Sequence, residues 1–197
     1  MPPPASGPGV PPSAALVRRV FKVKICLVGE EGVGKTSTIR RFVDGKFSEA
    51  YKRTIGTSVS KKTVELENGG DAVELRCLVY DIVGDHRFLR LFREAYFQHA
   101  RGVVAVCDLT RPETLRALYG WIDELRDACG AVPVVVLGNK ADLGEKVRVQ
   151  PEDLEAIGRH FGATALATSA RTGEHIEDAF EHLSHALLTR PVPAEPF

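Results

Sequence analysis

Hydrophobic and polar positions along this chain alternate between two rhythms. Phe21 to Val28 is an apolar run broken only by Lys22 and Lys24, the mark of a strand that becomes buried along its length. Thr36 to Val43 has helical spacing. Thr57 to Leu66 and Val73 to Asp81 read as two strands joined by Glu67-Asn68-Gly69-Gly70-Asp71, where the glycines supply the positive φ of a hairpin turn. Arg87 to His99 reads as a helix and Gly102 to Asp108 as a buried strand. Pro112 to Ala128 is a long helix opened by a proline, at a position where the missing N–H costs little. Val132 to Gly138 is another buried strand, Pro151 to Phe161 a helix, and Thr164 to Thr168 a short strand. The last helix sets Ile176, Ala179, Phe180, Leu183 and Leu187 on one face, the spacing of a core stripe. Strands alternating with helices predict an α/β fold around a mostly parallel sheet.

Composition narrows the class. The 197 residues favour one domain, and a hydrophobic fraction of 44% suits a globular core. Lys+Arg and Asp+Glu both number 26, so no field of one sign points to nucleic acid or an acidic membrane as partner. No apolar run approaches the ~18 residues of a membrane span. Residues 1–19 form a proline-rich stretch without the layout of a secretory signal and are expected to be a disordered or extended tail. The folded domain is expected over 20–189, with a short proline-rich tail at 190–197. The chain ends in no cysteine box and has no Gly at position two, so no direct lipid anchor is expected. Cys26, Cys77, Cys107 and Cys129 form no C-x-x-C pair; reduced thiols in a cytoplasmic protein are the expectation.

The chemistry begins after the first strand. Gly29 to Thr36 read G-E-E-G-V-G-K-T, the phosphate-loop pattern G-x-x-x-x-G-K-[ST], set between a strand and a helix as its physics requires. Backbone N–H groups of such a turn cradle phosphate oxygens, helped by the positive end of the helix dipole. The predicted cradle comprises Glu31, Gly32, Val33, Gly34, Lys35, Thr36 and Ser37. Lys35 would reach the terminal phosphates, and the Thr36 hydroxyl would hold a magnesium ion.

A phosphate loop does not name the base; Asn139-Lys140-Ala141-Asp142 does, directly after a buried strand. Guanine offers N1–H and its N2 amine side by side, and the Asp142 carboxylate can accept both. Adenine has no such pair, and a site left with an unpaired buried acceptor rejects it strongly. Asn139 would brace the loop and the Lys140 stem cover a ring face. In Thr168-Ser169-Ala170-Arg171, Ser169 could orient Asp142 and the Ala170 N–H meet the guanine carbonyl. Asp81, which opens Asp81-Ile82-Val83-Gly84, can bind the hydration shell of magnesium. The Gly84 N–H can approach a terminal phosphate, and Thr54 can offer the metal a second hydroxyl.

Taken in order, G-E-E-G-V-G-K-T, T-I-G, D-I-V-G, N-K-A-D and T-S-A-R resemble the Ras superfamily of small GTPases over nearly all of Phe21 to Thr189. Tyr51 to Gly56, Arg87-Phe88 and Ala95 to Gly102 resemble its Rab branch. The resemblance implies a phosphate-loop G domain with a six-stranded, mostly parallel sheet and five helices. It further implies bound GTP or GDP with Mg2+, and switch loops around Phe47 to Ser58 and Asp81 to Phe92. Effector, exchange-factor and GTPase-activating proteins would read those loops. Phe47 matches the aromatic that packs across the guanine, and Arg171 closes the T-S-A-R motif of the base site.

The departures from the family fall on hydrolysis. Where members commonly carry a glutamine that orients the attacking water, this chain has Asp85, followed by His86. A carboxylate is shorter, only accepts hydrogen bonds, and adds negative charge beside a triphosphate. Glu31 stands where many members have a small residue. A carboxylate pointing inward there would crowd the terminal phosphate and an incoming arginine; one pointing to solvent would not. The catalytic set is therefore Lys35, Thr54, Gly84 and Asp85, with slow turnover, and the metal set is Thr36, Thr54 and Asp81. Two readings stand: a switch with slow intrinsic GTP hydrolysis, or a nucleotide-holding interaction module without significant turnover. An ATP-dependent phosphotransferase is disfavoured by Asp142.

Overall fold

A computed structural model describes residues 19–48, 57–82 and 94–189. Six strands form one sheet: β1 (Arg19–Val28), β2 (Thr57–Asn68), β3 (Asp71–Ile82), β4 (Ala100–Asp108), β5 (Val134–Asn139) and β6 (Thr164–Ala167), in the spatial order β2-β3-β1-β4-β5-β6. Only β2 runs antiparallel to its neighbour; every other pairing is parallel. Four helices are described: α1 (Lys35–Asp44), α2 (Pro112–Cys129), α3 (Pro151–Phe161) and α4 (Ile176–Leu188), with a 3₁₀ segment at Ala141–Lys146. Residues 94–97 are also helical; the helix expected over Arg87 to His99 stops there, with Gln98 and His99 in a turn where His99 takes φ 62°, and its part at 87–93 lies outside the described residues.

The period of two along β1 divides the core. Val23, Ile25 and Leu27 face a layer built with α1 and α4, while Cys26 and Val28 face a layer built with α2 and α3. A parallel sheet covered on both faces needs such nearly continuous apolar strands. The stripe expected on the last helix is buried in full: Ile176, Ala179, Phe180, Leu183 and Leu187 are each at most 3% exposed. Phe180 stacks on Phe42 of α1 with ring centroids 3.7 Å apart, which fixes α1 against the sheet through α4.

Several boundaries differ from expectation, some of them for clear backbone reasons. The fifth strand begins at Val134, two residues late, because Pro133 has no N–H to give to the ladder, although its carbonyl still accepts from Val103. The hairpin strands instead run further, to Asn68 and from Asp71, because Gly69 (φ 62°) and Gly70 (φ 87°) compress the turn to two residues. No helix among the described residues is long and apolar enough to cross a membrane. All four cysteines are free thiols, and burial pushes those of Cys26, Cys77 and Cys107 up to about 12.

The carboxyl ends of the parallel strands meet at one edge. Leu27 pairs with Asp81 and Val104, Asp108 with Asn139, and Gly138 with Ala167. Ligands of open α/β sheets bind at this edge, beside the point where strand order reverses. Here that point is β1, flanked by β3 and β4.

Candidate nucleotide-binding site

The phosphate loop leaves β1 through Gly29, whose φ of 134° is open only to glycine; a Cβ there would stand 2.1 Å from the Val106 carbonyl oxygen. Gly34, with φ 105°, caps α1, and its carbonyl accepts the Thr38 N–H at 2.8 Å. A Cβ on Gly34 would lie 2.2 Å from Nδ2 of Asn139, so the absent side chain makes room for that amide.

Lys35 is 7% exposed, and its ammonium donates to the carbonyls of Gly29 at 2.6 Å and Glu30 at 2.9 Å. Burial lowers its pKa to about 8, opposed by the carboxylates of Asp81, Glu30 and Glu31. The side chain thus lies folded along the loop beneath the turn it would serve. The Thr36 hydroxyl donates to Asp81 Oδ2 at 2.5 Å across the gap between α1 and the end of β3. A hydroxyl and a carboxylate in contact are hard oxygen donors of the kind magnesium takes, so this pair fits that ion.

Asn139 joins the two halves of the site. Its Nδ2 donates to the Val33 carbonyl at 2.8 Å, and its Oδ1 accepts the Ala170 N–H at 3.0 Å. The expected bracing role therefore has a definite geometry, and it engages the Ala170 N–H proposed for the base carbonyl. Ser169 donates its hydroxyl to Asp142 Oδ1 at 2.6 Å, and Arg171 stands 3.9 Å from Asp142 Oδ2. The Ala141 N–H donates to the Thr168 carbonyl at 3.0 Å, so backbone as well as side chains holds the two base loops together. Lys140 adopts φ 71° and extends to Asp108 Oδ2 at 2.5 Å.

Several residues beyond the motifs belong to this frame. Asp108 is 1% exposed and ends β4. It accepts from Lys140, from Arg111 Nε at 3.0 Å, and from both the N–H and hydroxyl of Thr110. Burial pushes its carboxyl up, but these donors outweigh burial and hold the pKa below the ordinary value. Arg111 in turn reaches the Glu31 carbonyl at 3.0 Å, tying Asp108 to the phosphate loop. On the α2 side the fully buried Trp121 donates its indole N–H to Glu30 Oε1 at 3.0 Å. The usable signal for Asp108 was its place: a polar residue closing a buried strand at the same edge as Asp81 and Asn139. Arg111 and Trp121 carried no local signal, because their partners are distant in sequence.

Glu31 is exposed. Phe47, just past α1, is half-buried. Thr54, Gly84, Asp85 and His86, with most of both expected switch loops, lie outside the described residues. Among the described residues no cluster of three or more His, Cys, Asp or Glu forms a separate metal site.

Comparison with known proteins gives a consistent picture. The model of the Ras family matches residues 24–189. The Ras-related protein Rab-13 of Bos taurus is 32% identical over 85% of this chain and 80% of its own length. Rab-8 of Diplobatis ommata is 33% identical over 86% of this chain and 79% of its own. Human Rab-8B is 32% identical over 86% of this chain and 80% of its own.

Proposed function

Since the chain belongs to the Ras family of small GTPase switches, we propose that it cycles between GDP- and GTP-bound states with Mg2+ and hydrolyses GTP slowly. The observation that carries the guanine reading is Asp142: its carboxylate is oriented by Ser169 in a loop that Asn139 ties to the phosphate loop. Such an acceptor, oriented by the protein's own hydrogen bond, matches the paired donors of guanine and leaves an adenine ring unanswered.

At the polyphosphate end, Gly32 and Gly34 with positive φ allow the loop to present backbone N–H groups to phosphate oxygens over the mouth of α1. Lys35 needs only to exchange its loop carbonyls for phosphate oxygens, which accept more strongly because they are charged. Thr36 and Asp81, already in contact with each other, are the residues that would hold magnesium. When bound, that ion neutralises charge on the β- and γ-oxygens. Thr54 and Gly84 would order their loops against the metal and terminal phosphate, and partner proteins would read the ordered surface.

Slow turnover follows from Asp85. A carboxylate cannot donate to the developing charge and repels it. Exposure of Glu31 supports leaving the terminal-phosphate position open, so the departure that limits hydrolysis is concentrated at Asp85. The same substitution favours the second reading, a module that holds nucleotide without turning it over.

A single-turnover measurement separates them. GTP-loaded protein with magnesium is followed for phosphate release beside Asp85→Gln. The switch reading expects slow release by the natural chain and faster release by the variant. Release no faster than spontaneous hydrolysis in both proteins, also with an activating protein present, would establish the non-hydrolysing module instead.

A further inference from the structure

We propose that Arg41 is a positioning residue for the base end of the nucleotide site, fastening the segments on both sides of the base to the helix that carries Lys35 and Thr36. The inference rests on the guanine-nucleotide reading above.

Arg41 lies in the last turn of α1, where a cation is favoured by the helix dipole. Its guanidinium is divided among three carbonyls. Nε donates to Ala170 at 2.9 Å, Nη2 donates to Arg171, and Nη1 donates to Gly45 at 2.9 Å. The first two acceptors belong to the T-S-A-R loop. The third is the C-cap of α1, two residues before Phe47. One planar group therefore holds the loop that carries the Asp142 partner Ser169 and the turn that leads to the aromatic. The fork geometry matters, since a lysine ammonium is a point donor that cannot match three divergent carbonyls from one position.

The placement closes a circuit. Val33 in the phosphate loop accepts from Asn139, Asn139 accepts from the Ala170 N–H, and the Ala170 carbonyl accepts from Arg41. Arg41 returns to the phosphate loop through α1 itself, about 10 Å of helix from Gly34 at 1.5 Å per residue. Ala170 is thus gripped on both polar faces of its backbone by the two ends of one helix's surroundings. Gly173 lies beside this contact, and its φ of +94° favours glycine in the turn that carries the loop.

Release of a fluorescent GDP analogue into excess unlabelled GDP tests this in the full chain, with Arg41→Gln and Arg41→Lys beside the natural protein. Arg41→Lys keeps the stem and charge and guards against mere loss of folding. Both variants are expected to release GDP faster, by about tenfold for Arg41→Gln. The preference for GDP over inosine diphosphate, which lacks the N2 amine, is expected to narrow, while the magnesium concentration at half-maximal retention stays unchanged. Release within twofold of the natural protein would overturn the role of Arg41. So would faster release with the GDP preference intact, because that outcome marks general loosening rather than misplacement of the base loops. Failure of the natural protein to retain GDP is a separate result that would sink the guanine reading and this inference with it.

Discussion

The Ser169 hydroxyl donates to the Asp142 carboxylate at 2.6 Å, although the two residues sit in different loops after different strands. One lone pair of the carboxylate is thereby committed to the protein, and its remaining acceptor capacity is set in a fixed direction. Ser169→Ala is expected to keep the fold and speed GDP release by about tenfold, the worth of a hydrogen bond to a charged group. Asp142→Asn goes further: an amide presents a donor where the carboxylate accepted, so preference should move from guanine toward xanthine, whose C2 carries an oxygen. Displacement of a fluorescent GDP analogue measures the first effect, and competition between the two nucleoside diphosphates for one site the second.

Asn139 serves stability by bridging two loops. It is 2% exposed and spends its amide on the Val33 carbonyl and the Ala170 N–H. Asn139→Ala leaves both partners buried without it, at a cost of about 1–3 kcal/mol. Thermal unfolding without nucleotide should shift down by roughly 2–12 °C for a domain of this size. An unchanged midpoint would mean that water replaces the amide at no cost.

Metal dependence should trace to Thr36 and Asp81. Chelation of magnesium is expected to accelerate nucleotide release from the natural protein by at least about tenfold. Thr36→Ala should release nucleotide quickly with or without chelator, if its hydroxyl is what holds the metal. Stopped-flow release with and without chelator checks this, and equal sensitivity of both proteins would remove Thr36 from the metal set.

Asp108 predicts an acid limb. Its carboxyl titrates below the ordinary range when folded, so its contribution to stability is present above the unfolded value of about 3.9 and lost as pH falls through the folded one. Asp108→Asn should be less stable at neutral pH, where Lys140 and Arg111 lose their anion. Its stability should also fall less steeply below about pH 4. Urea unfolding at a series of pH values would show the two curves converging toward acid.

Local patterning revealed much of this molecule. The central strands β4 and β5 were legible because burial on both faces of a parallel sheet demands uninterrupted apolar runs, as in Val103 to Cys107. The phosphate loop and both base loops were legible because their chemistry is written in consecutive residues. What stayed hidden is contact between distant segments. Arg41 looks like any cation on a helix surface until Ala170 is brought against it, and Arg111 like a helix entry residue until Glu31 is. The 3₁₀ segment at Ala141–Lys146 also escaped, since so short a stretch has no period to read.

Gly34 carries a last consequence. The space its hydrogen leaves is filled by the Asn139 amide, only 2.2 Å from where a methyl would sit. An alanine introduced there would evict a residue that joins the phosphate and purine ends. Both recognition surfaces would then fail together, so raising the nucleotide concentration could not restore a selective pocket. A substitution at this codon should accordingly lower stability even in a ligand-free scaffold, which distinguishes it from glycines kept solely to admit a phosphate.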